Sequence, residues 1–186
     1  MTKLFKKIII LGILIGIVLS IFNYRNIEKN ILTKFYMKEY EEYVEKYSNE
    51  YKVDSDLIFA IIKAESNFDE EAVSNKEAKG LMQLMYPTAV EVAKILDLEI
   101  DEEKVLEPEY NIMLGTKYMS ILFNKYQNTG LALAAYNAGS GNVDKWIAEG
   151  TISADGDNIE NIPYKETNNY VRKILRDYQI YKEIYA

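Results

Sequence analysis

The stretch Ala60-Ile-Ile-Lys-Ala-Glu-Ser-Asn-Phe68 belongs to a helix that the sequence predicts to be buried on one face. Its apolar pattern also contains a carboxylate, which needs an explanation. The residues that recur at helical spacing and predict one buried face are Leu57, Ile58, Ile61 and Ile62. Glu65 follows Ile61 by four residues and therefore shares that face, whereas Lys63 points elsewhere. A lone glutamate near a helix end is usually a solvated or paired charge. A glutamate on an apolar face is instead expected to be buried, and burial raises the pKa of its carboxyl.

The composition restricts the chemistry that the chain can perform. It has 186 residues, 48% of them hydrophobic, and a formal net charge of −7, so one domain of ordinary size with a real core is expected. Because Cys and His are both absent, nucleophiles that depend on them, disulfides and zinc sites built on them are excluded. The acidic balance argues against a nucleic-acid partner. Catalysis would rest on carboxylates, hydroxyls, amides or lysines.

The N-terminal residues predict a membrane segment. Lys3, Lys6 and Lys7 precede Ile8–Phe22, an apolar run without a charge. This run is at the short limit for a membrane span and overlaps the length of a signal-peptide core. Because no small-x-small cleavage site follows, an uncleaved anchor is favoured over a cleaved signal. The lysines predict that the N-terminus lies on the cytoplasmic side of the cell membrane and that the domain lies on its extracytoplasmic face.

Helical periodicity without sustained strand alternation predicts a mainly α protein. Three segments are expected: an anchor at residues 1–24, a short stalk at 25–35 and one catalytic domain at 36–186. An amphipathic helix should follow the stalk, and Gly115 is expected to allow a close approach between helices. The remaining helices are predicted at Asp54 or Ser55 to Asn67, Thr88–Leu98 behind Pro87, Glu109–Lys125, Gly130–Asn137, Asn142–Glu149 and Lys165–Tyr185.

Four stretches carry polar groups that the helical background does not explain. They are Glu65-Ser66, Gly80-Leu-Met-Gln-Leu-Met85, Ala134-Ala-Tyr-Asn-Ala-Gly139 and Ile162-Pro-Tyr-Lys-Glu-Thr167. Each has an ordinary explanation when it is taken alone. Gln83 fits a satisfied core amide, Gly139 a helix end, and Glu166 a first-turn acid favoured by the helix dipole. Only their combination indicates a site.

Together these motifs resemble the catalytic domain of soluble lytic transglycosylases, which is related in fold to goose-type lysozyme. The resemblance runs from about Tyr36 to Tyr185 and includes Glu107-Pro-Glu-Tyr-Asn-Ile112 and Asn169-Tyr-Val-Arg-Lys173. It implies a compact, lysozyme-like, mainly α domain with a catalytic cleft, here preceded by one transmembrane helix. The chain departs from the family pattern at Tyr86, which precedes Pro87, and at Ser140, where proline is common. Both positions are predicted helix boundaries.

The resemblance also implies an activity on peptidoglycan glycan strands. Such enzymes cleave the β-1,4 bond between N-acetylmuramic acid and N-acetylglucosamine. Glu65 would act first as the general acid and then as the base that takes the proton of the muramic acid 6-hydroxyl, which leaves a 1,6-anhydro end. An apolar setting raises a carboxyl pKa and so suits this role. By the same resemblance, no second carboxylate, no metal and no cofactor are needed, and Asp69, Glu70 and Glu71 are interpreted as surface charge.

By the same resemblance, seven further residues surround the scissile bond. Ser74, Gln83 and Tyr136 would hydrogen-bond sugar or N-acetyl groups. Met82 and Met85 would form apolar walls for sugar faces. Asn137 would fix the loop that carries Tyr136, and Glu166 would orient Tyr136 or the substrate. Two alternatives remain: a hydrolytic muramidase with the same fold and acid, and an inactive membrane-anchored wall-binding module.

Overall fold

The structure, a computed structural model, describes the backbone of residues 3–186 and the side chains of residues 10–24 and 26–186. The chain divides into an N-terminal unit that ends at Met37 and a second unit, Lys38–Tyr185. Within the described residues, β-structure is limited to the isolated bridges Val73–Lys79 and Lys79–Leu84. The prediction of a mainly α protein is therefore confirmed.

The N-terminal unit is built on one helix, α1 (Lys3–Phe35). It joins the predicted anchor and stalk into a single continuous helix. Its segment Ile10–Phe35 is long and apolar enough to cross a membrane, by length and composition. The large apolar side chains from Ile10 to Phe22 are all more than half exposed. The predicted orientation depends on Lys3, Lys6 and Lys7, whose side chains lie outside the described residues, as do Met1 and Thr2.

The central helix of the second unit is α3 (Ser55–Glu65). Asp54 caps its N-terminus by accepting the backbone N–H of Asp56 at 3.0 Å. Two neighbouring helices, α2 (Glu41–Tyr51) and α8 (Lys165–Tyr185), pack against it. The predicted apolar face is buried, and so are Phe59 and Ala60 between its residues. The helix becomes partly accessible again only at its C-terminal end, where Glu65 lies.

The other helices surround this centre with short connections. They are α4 (Tyr86–Ile95), α5 (Pro108–Tyr126), α6 (Thr129–Ala138), α7 (Ser140–Ala148) and a 3-10 turn at Ile159–Asn161. Helix α5 packs on α2, α4 and α6, and α6 also packs on α7 and α8. Helix α4 ends at Ile95, three residues before the prediction, because Asp97 turns the chain in a left-handed conformation with φ 55°. Gly139, with φ 85°, separates α6 from α7.

Candidate active site

Glu65 is the last residue of α3 and lies half-buried at the point where that helix reaches the surface. Its Oε1 accepts a hydrogen bond from the Tyr170 hydroxyl at 2.6 Å. Burial raises the pKa of the Glu65 carboxyl from its ordinary 4.5 to about 7. The Tyr170 hydrogen bond and the Lys173 ammonium oppose this rise. The arrangement therefore keeps a large fraction of the acid protonated at neutral pH.

A strained turn ends α3 directly after Glu65. Asn67 and Phe68 both adopt left-handed backbone conformations, with φ of 52° and 66°, which are uncommon for residues other than glycine. Two contacts hold the turn: the Phe68 ring is buried against Phe59, with centroids 6.5 Å apart, and the Ser66 hydroxyl donates to the Leu81 carbonyl at 2.8 Å. The chain thus leaves the helix abruptly, so that Glu65 stays at its exposed end.

The loop Gly80–Met85 is fixed by the buried amide of Asn111, on α5. The Asn111 Oδ1 accepts the Met82 N–H at 2.7 Å, and its Nδ2 donates to the carbonyls of Lys79 and Val105 at 2.9 and 2.8 Å. Gly80, with φ 72°, allows this approach, because a Cβ there would lie 2.5 Å from the Asn111 Nδ2. Asn111 therefore positions the loop that carries three of the predicted site residues.

Gln83 and Ser74 are both half-buried and are both partly engaged by the backbone around them. The Gln83 Nε2 donates to the carbonyls of Ala72 and Gly80, each at 2.9 Å. The Ser74 Oγ accepts the backbone N–H groups of Lys76 and Ala78 at 3.3 and 3.0 Å. What these side chains retain for a ligand is the Gln83 carbonyl oxygen and the Ser74 hydroxyl proton.

Tyr136 lies near Glu65 in the C-terminal part of α6. Its hydroxyl donates to the Met82 carbonyl at 2.8 Å, and its ring packs on Tyr118 with centroids 5.3 Å apart. Burial raises the pKa of the Tyr136 hydroxyl well above its ordinary value, and the Glu65 charge raises it further. The same two causes raise the pKa of Tyr170. Both phenols therefore remain hydrogen-bond donors beside the acid.

Asn137 and Glu166 lie together on a neighbouring cavity of about 280 Å³. The Asn137 Oδ1 accepts the Thr167 hydroxyl at 2.7 Å, which ties the end of α6 to the first turn of α8. The exposed Glu166 side chain lines the cavity together with Lys76 from the Ser74–Ala78 turn. Asn137 thus fixes α6 against α8, next to Tyr136, and Glu166 faces solvent at the mouth of the site.

The structure contradicts the predicted role of Met82 as a wall for a sugar face. Its side chain is fully buried and packs on Gly115, where a Cβ would lie 2.9 Å from the Met82 Cβ. The close approach expected at Gly115 is therefore made by this side chain and not by another helix. The physical reason is that the Asn111 amide draws the loop backbone inward at Met82. Met85, in contrast, is 41% exposed.

Tyr170 contacts Glu65 directly, although the sequence motifs did not predict it as a site residue. It lies 105 positions after Glu65 and donates to its carboxylate. A signal was available, since Tyr170 follows the buried Thr167 by three residues and precedes the buried Ile174 by four on α8. A phenol on the inner face of an amphipathic helix needs a polar partner. The partner itself could not be named without the fold.

Similarity to known proteins places this chain in a family. The Transglycosylase SLT domain matches residues 42–158, so the chain belongs to that family. The soluble lytic murein transglycosylase of Escherichia coli is 32% identical over 141 residues, which are 73% of this chain and 22% of that protein. The membrane-bound lytic murein transglycosylase C of Edwardsiella ictaluri is 36% identical over 169 residues, covering 78% of this chain and 47% of that one.

Solved structures agree with this assignment. The lytic transglycosylase Slt of Pseudomonas aeruginosa, solved as an inactive glutamate-to-glutamine mutant, superposes with a TM-score of 0.76 at 33% identity. The match covers 82% of this chain and 25% of that one. The predicted lysozyme-like helical fold is thereby confirmed. This chain spans between about a quarter and a half of the length of these relatives. The domain boundary predicted at residue 36 remains a prediction.

Proposed function

We propose that this chain is a membrane-anchored peptidoglycan lytic transglycosylase that serves cell-wall remodelling or turnover. Its substrate would be the β-1,4 bond between N-acetylmuramic acid and N-acetylglucosamine. The names of its relatives supply the substrate class, since murein is peptidoglycan. The observation that carries the proposal is the half-buried Glu65, whose pKa of about 7 suits an acid that must donate a proton at neutral pH.

Glu65 performs both proton transfers in this mechanism. Tyr170 holds its Oε1, which leaves the other oxygen to protonate the bridging oxygen as the bond from that oxygen to the muramic acid C1 breaks. The resulting carboxylate then takes the proton of the 6-hydroxyl as the 6-oxygen bonds to C1. One C–O bond breaks and one forms, and the 6-hydroxyl proton is in effect passed to the leaving sugar. The product is a 1,6-anhydro end, and no water is consumed.

The surroundings of Glu65 support a mechanism with one carboxylate. A retaining glycosidase would need a second carboxyl about 5 Å away. No carboxylate is among the groups that shift the pKa of Glu65. The nearby acids have other partners: Asp69 accepts the Glu71 backbone N–H at 3.0 Å, and Glu70 accepts the Tyr40 hydroxyl at 2.9 Å. An internal nucleophile, the 6-hydroxyl, removes the need for a second acid.

The remaining predicted residues would bind the glycan around this bond. Ser74 would donate its hydroxyl proton to the glycan. Gln83 would accept a hydrogen bond from a sugar hydroxyl or an amide N–H through its free carbonyl oxygen. Met85 offers an exposed apolar surface for a sugar face. Asn137 would hold Tyr136 in place through the Thr167 contact. Glu166 would orient the substrate from the first turn of α8.

Mass analysis of the released muropeptides tests the proposed reaction. The chain should release fragments lighter by one water than those of a muramidase, because the 6-hydroxyl replaces water as the nucleophile. Products with only reducing ends would assign the chain to the hydrolytic muramidases. Absence of any cleavage by the folded protein, together with binding to the wall, would assign it to the inactive wall-binding modules.

We further propose that α1 is an uncleaved, single-pass membrane anchor with the catalytic unit outside. Two observations support the anchor: the length and apolar composition of Ile10–Phe35, and the similarity to a membrane-bound relative. The lysines ahead of the span support the orientation.

A further inference from the structure

A second cavity lies at the far end of α3 from Glu65. Its volume is about 240 Å³, and its walls come from the turn between α2 and α3, the C-terminal part of α5, the start of α6 and the middle of α8. Helix α3 runs from Ser55, beside this cavity, to Glu65, which is a rise of about 15 Å along its axis. The cavity is therefore separate from the candidate active site.

The turn between α2 and α3 presents two opposite charges to this cavity, Lys52 and Asp54. Lys52 ends α2 in a left-handed conformation with φ 60°, and its backbone N–H donates to the Ser48 carbonyl. The Val53 N–H donates to the same carbonyl at 3.0 Å. Asp54 is fixed at the other end of the turn, because its Oδ1 caps α3. Both side chains therefore project from an ordered backbone, which lowers the entropy lost when they bind a ligand.

Lys52 supplies a positive charge that the fold itself does not use. Its side chain is exposed. Among the residues that the structure describes, its ammonium has no hydrogen bond and no ion pair. Its three N–H donors are thus available to a ligand, and a carboxylate is the partner that forms the strongest hydrogen bonds with them.

Asp54 supplies a negative charge that is oriented but not saturated. Its Oδ1 accepts the Asp56 N–H at 3.0 Å, and its Oδ2 accepts the Tyr178 hydroxyl at 2.6 Å. The Lys182 ammonium lies 4.0 Å from Oδ2, and both of these side chains are about half exposed, so this ion pair is weak. Because each carboxylate oxygen accepts two hydrogen bonds, Asp54 can still bind an ammonium.

The rest of the cavity wall is apolar, and its size limits the ligand. Leu57 is 4% exposed, and Phe123, at 36%, leaves part of its ring open to the cavity. A volume of about 240 Å³ corresponds to about eight water molecules at about 30 Å³ each. The cavity therefore accommodates a molecule of about eight non-hydrogen atoms, which is the size of an amino acid with a branched aliphatic side chain.

We propose that this cavity binds a free apolar amino acid, with its carboxylate on Lys52, its ammonium on Asp54 and its side chain against Leu57 and Phe123. An α-amino acid carries both charges on one carbon, and Lys52 and Asp54 are separated by a single residue, so one ligand contacts both. The end of a peptide carries only one of the two charges. The inference does not rest on the proposed function.

Calorimetric titration of the full chain in detergent at pH 7, with L-leucine as the probe, tests this site. Leucine should bind with saturation at one site per chain. Lys52→Gln and Asp54→Asn should each weaken binding about tenfold, which is the effect of losing one charged hydrogen bond. Asparagine is as good a helix N-cap as aspartate, so Asp54→Asn removes the charge and keeps α3 intact.

Two analogues of leucine assign each charge to its partner. Leucinamide lacks the carboxylate and N-acetyl-leucine lacks the ammonium, so the parent protein should bind each about tenfold more weakly than leucine. Lys52→Gln should weaken leucinamide binding no further, and Asp54→Asn should weaken N-acetyl-leucine binding no further, because the affected contact is already absent. If N-acetyl-leucine binds as tightly as leucine, the ligand is the C-terminus of a peptide and the proposal is wrong.

A matched control separates the site from a general effect of charge. Lys94 is an exposed lysine at the end of α4 that does not line this cavity, so Lys94→Gln should leave leucine affinity unchanged. Failure of the folded parent protein to bind leucine, or binding that survives both substitutions in the turn, would overturn the proposal. The titration contains no glycan, so its outcome is independent of whether the chain forms anhydro ends.

Discussion

Replacing Glu65 by glutamine keeps the shape of the side chain and removes its charge. The pKa of Glu65 is about 7 in the folded protein, against an ordinary value of 4.5. Folding therefore favours the protonated form of Glu65. The contribution of this proton to the stability of the wild type is complete below about pH 4.5 and is lost as the pH rises to above 7. The full penalty for this difference is about 3 kcal/mol. Glu65→Gln should abolish cleavage and raise the free energy of unfolding at pH 8 by up to that amount.

The gain in stability should vanish near pH 4, where the wild-type carboxyl is protonated in both states. Denaturant midpoints of both proteins at pH 4 and pH 8 measure it. Glu183→Gln, on the exposed face of α8, is the matched control and should give no pH-dependent difference. An equal or lower stability of Glu65→Gln at pH 8 would show that Glu65 is an ordinary solvated charge.

Lys173, after the Tyr170 hydrogen bond, limits how far burial raises the pKa of Glu65. Its ammonium donates to the Ala64 carbonyl at 3.4 Å and lowers the pKa of the neighbouring acid. The other titratable group that lowers the pKa of Glu65 is the phenol of Tyr170, which stays neutral. Lys173→Gln keeps a donor for the carbonyl and removes the charge. The pKa of Glu65 should rise, so the alkaline fall of kcat/KM should move to higher pH.

The pH profile of kcat/KM distinguishes this electrostatic role from a structural one. Lys173→Arg retains the positive charge and should restore the wild-type profile. If Lys173→Gln lowers activity equally at all pH values, Lys173 supports the helix end and does not tune the acid.

The packing of α5 against the Gly80–Met85 loop determines where the catalytic elements meet. At Gly115 of α5 an added methyl group would meet the Met82 side chain, with its Cβ at 2.9 Å. Gly115→Ala should therefore destabilise the protein by about 1–3 kcal/mol through overpacking, despite the better helix propensity of alanine. It should also lower kcat, because the Met82 carbonyl that accepts the Tyr136 hydroxyl would be displaced.

The same substitution in α7 provides the comparison. Gly141 has nothing within 4 Å of an added Cβ, so Gly141→Ala should leave stability unchanged or raise it by up to about 1 kcal/mol. Thermal unfolding and steady-state kinetics measure both variants. Wild-type stability and kcat in Gly115→Ala would mean that the Met82 contact adjusts at no cost.

For the whole molecule, α1 should hold the catalytic unit at the membrane. The full chain should remain with membranes after washing with high salt or alkali, because burial of the apolar segment Ile10–Phe22 in lipid is strongly favourable. Protease added from outside should remove the catalytic unit and leave α1 behind. Fractionation with N-terminal sequencing of any soluble form measures this. A soluble protein that begins near Asn23 would identify the segment as a cleaved signal.

The sequence by itself determined the helices and the acid, because both depend on local patterns. Helical spacing predicted the ends of α3, α5, α6 and α8 to within a few residues, because the buried face of a helix consists of apolar residues three and four positions apart. It also placed Glu65 on a buried face. The motifs around Gln83 and Tyr136 indicated the site, because they bring polar side chains into apolar segments in an order typical of one family.

Only the tertiary structure decided what each side chain contacts. The Asn111 amide draws Met82 into the core, and Tyr170 holds Glu65 across 105 residues of sequence. Lys76 meets the start of α8 in one cavity, although about 90 residues separate them. Such contacts depend on how the helices pack, and packing is fixed by the shape and volume of the whole core. A periodic pattern specifies the face that a helix buries, but only the tertiary structure specifies which residues pack against that face.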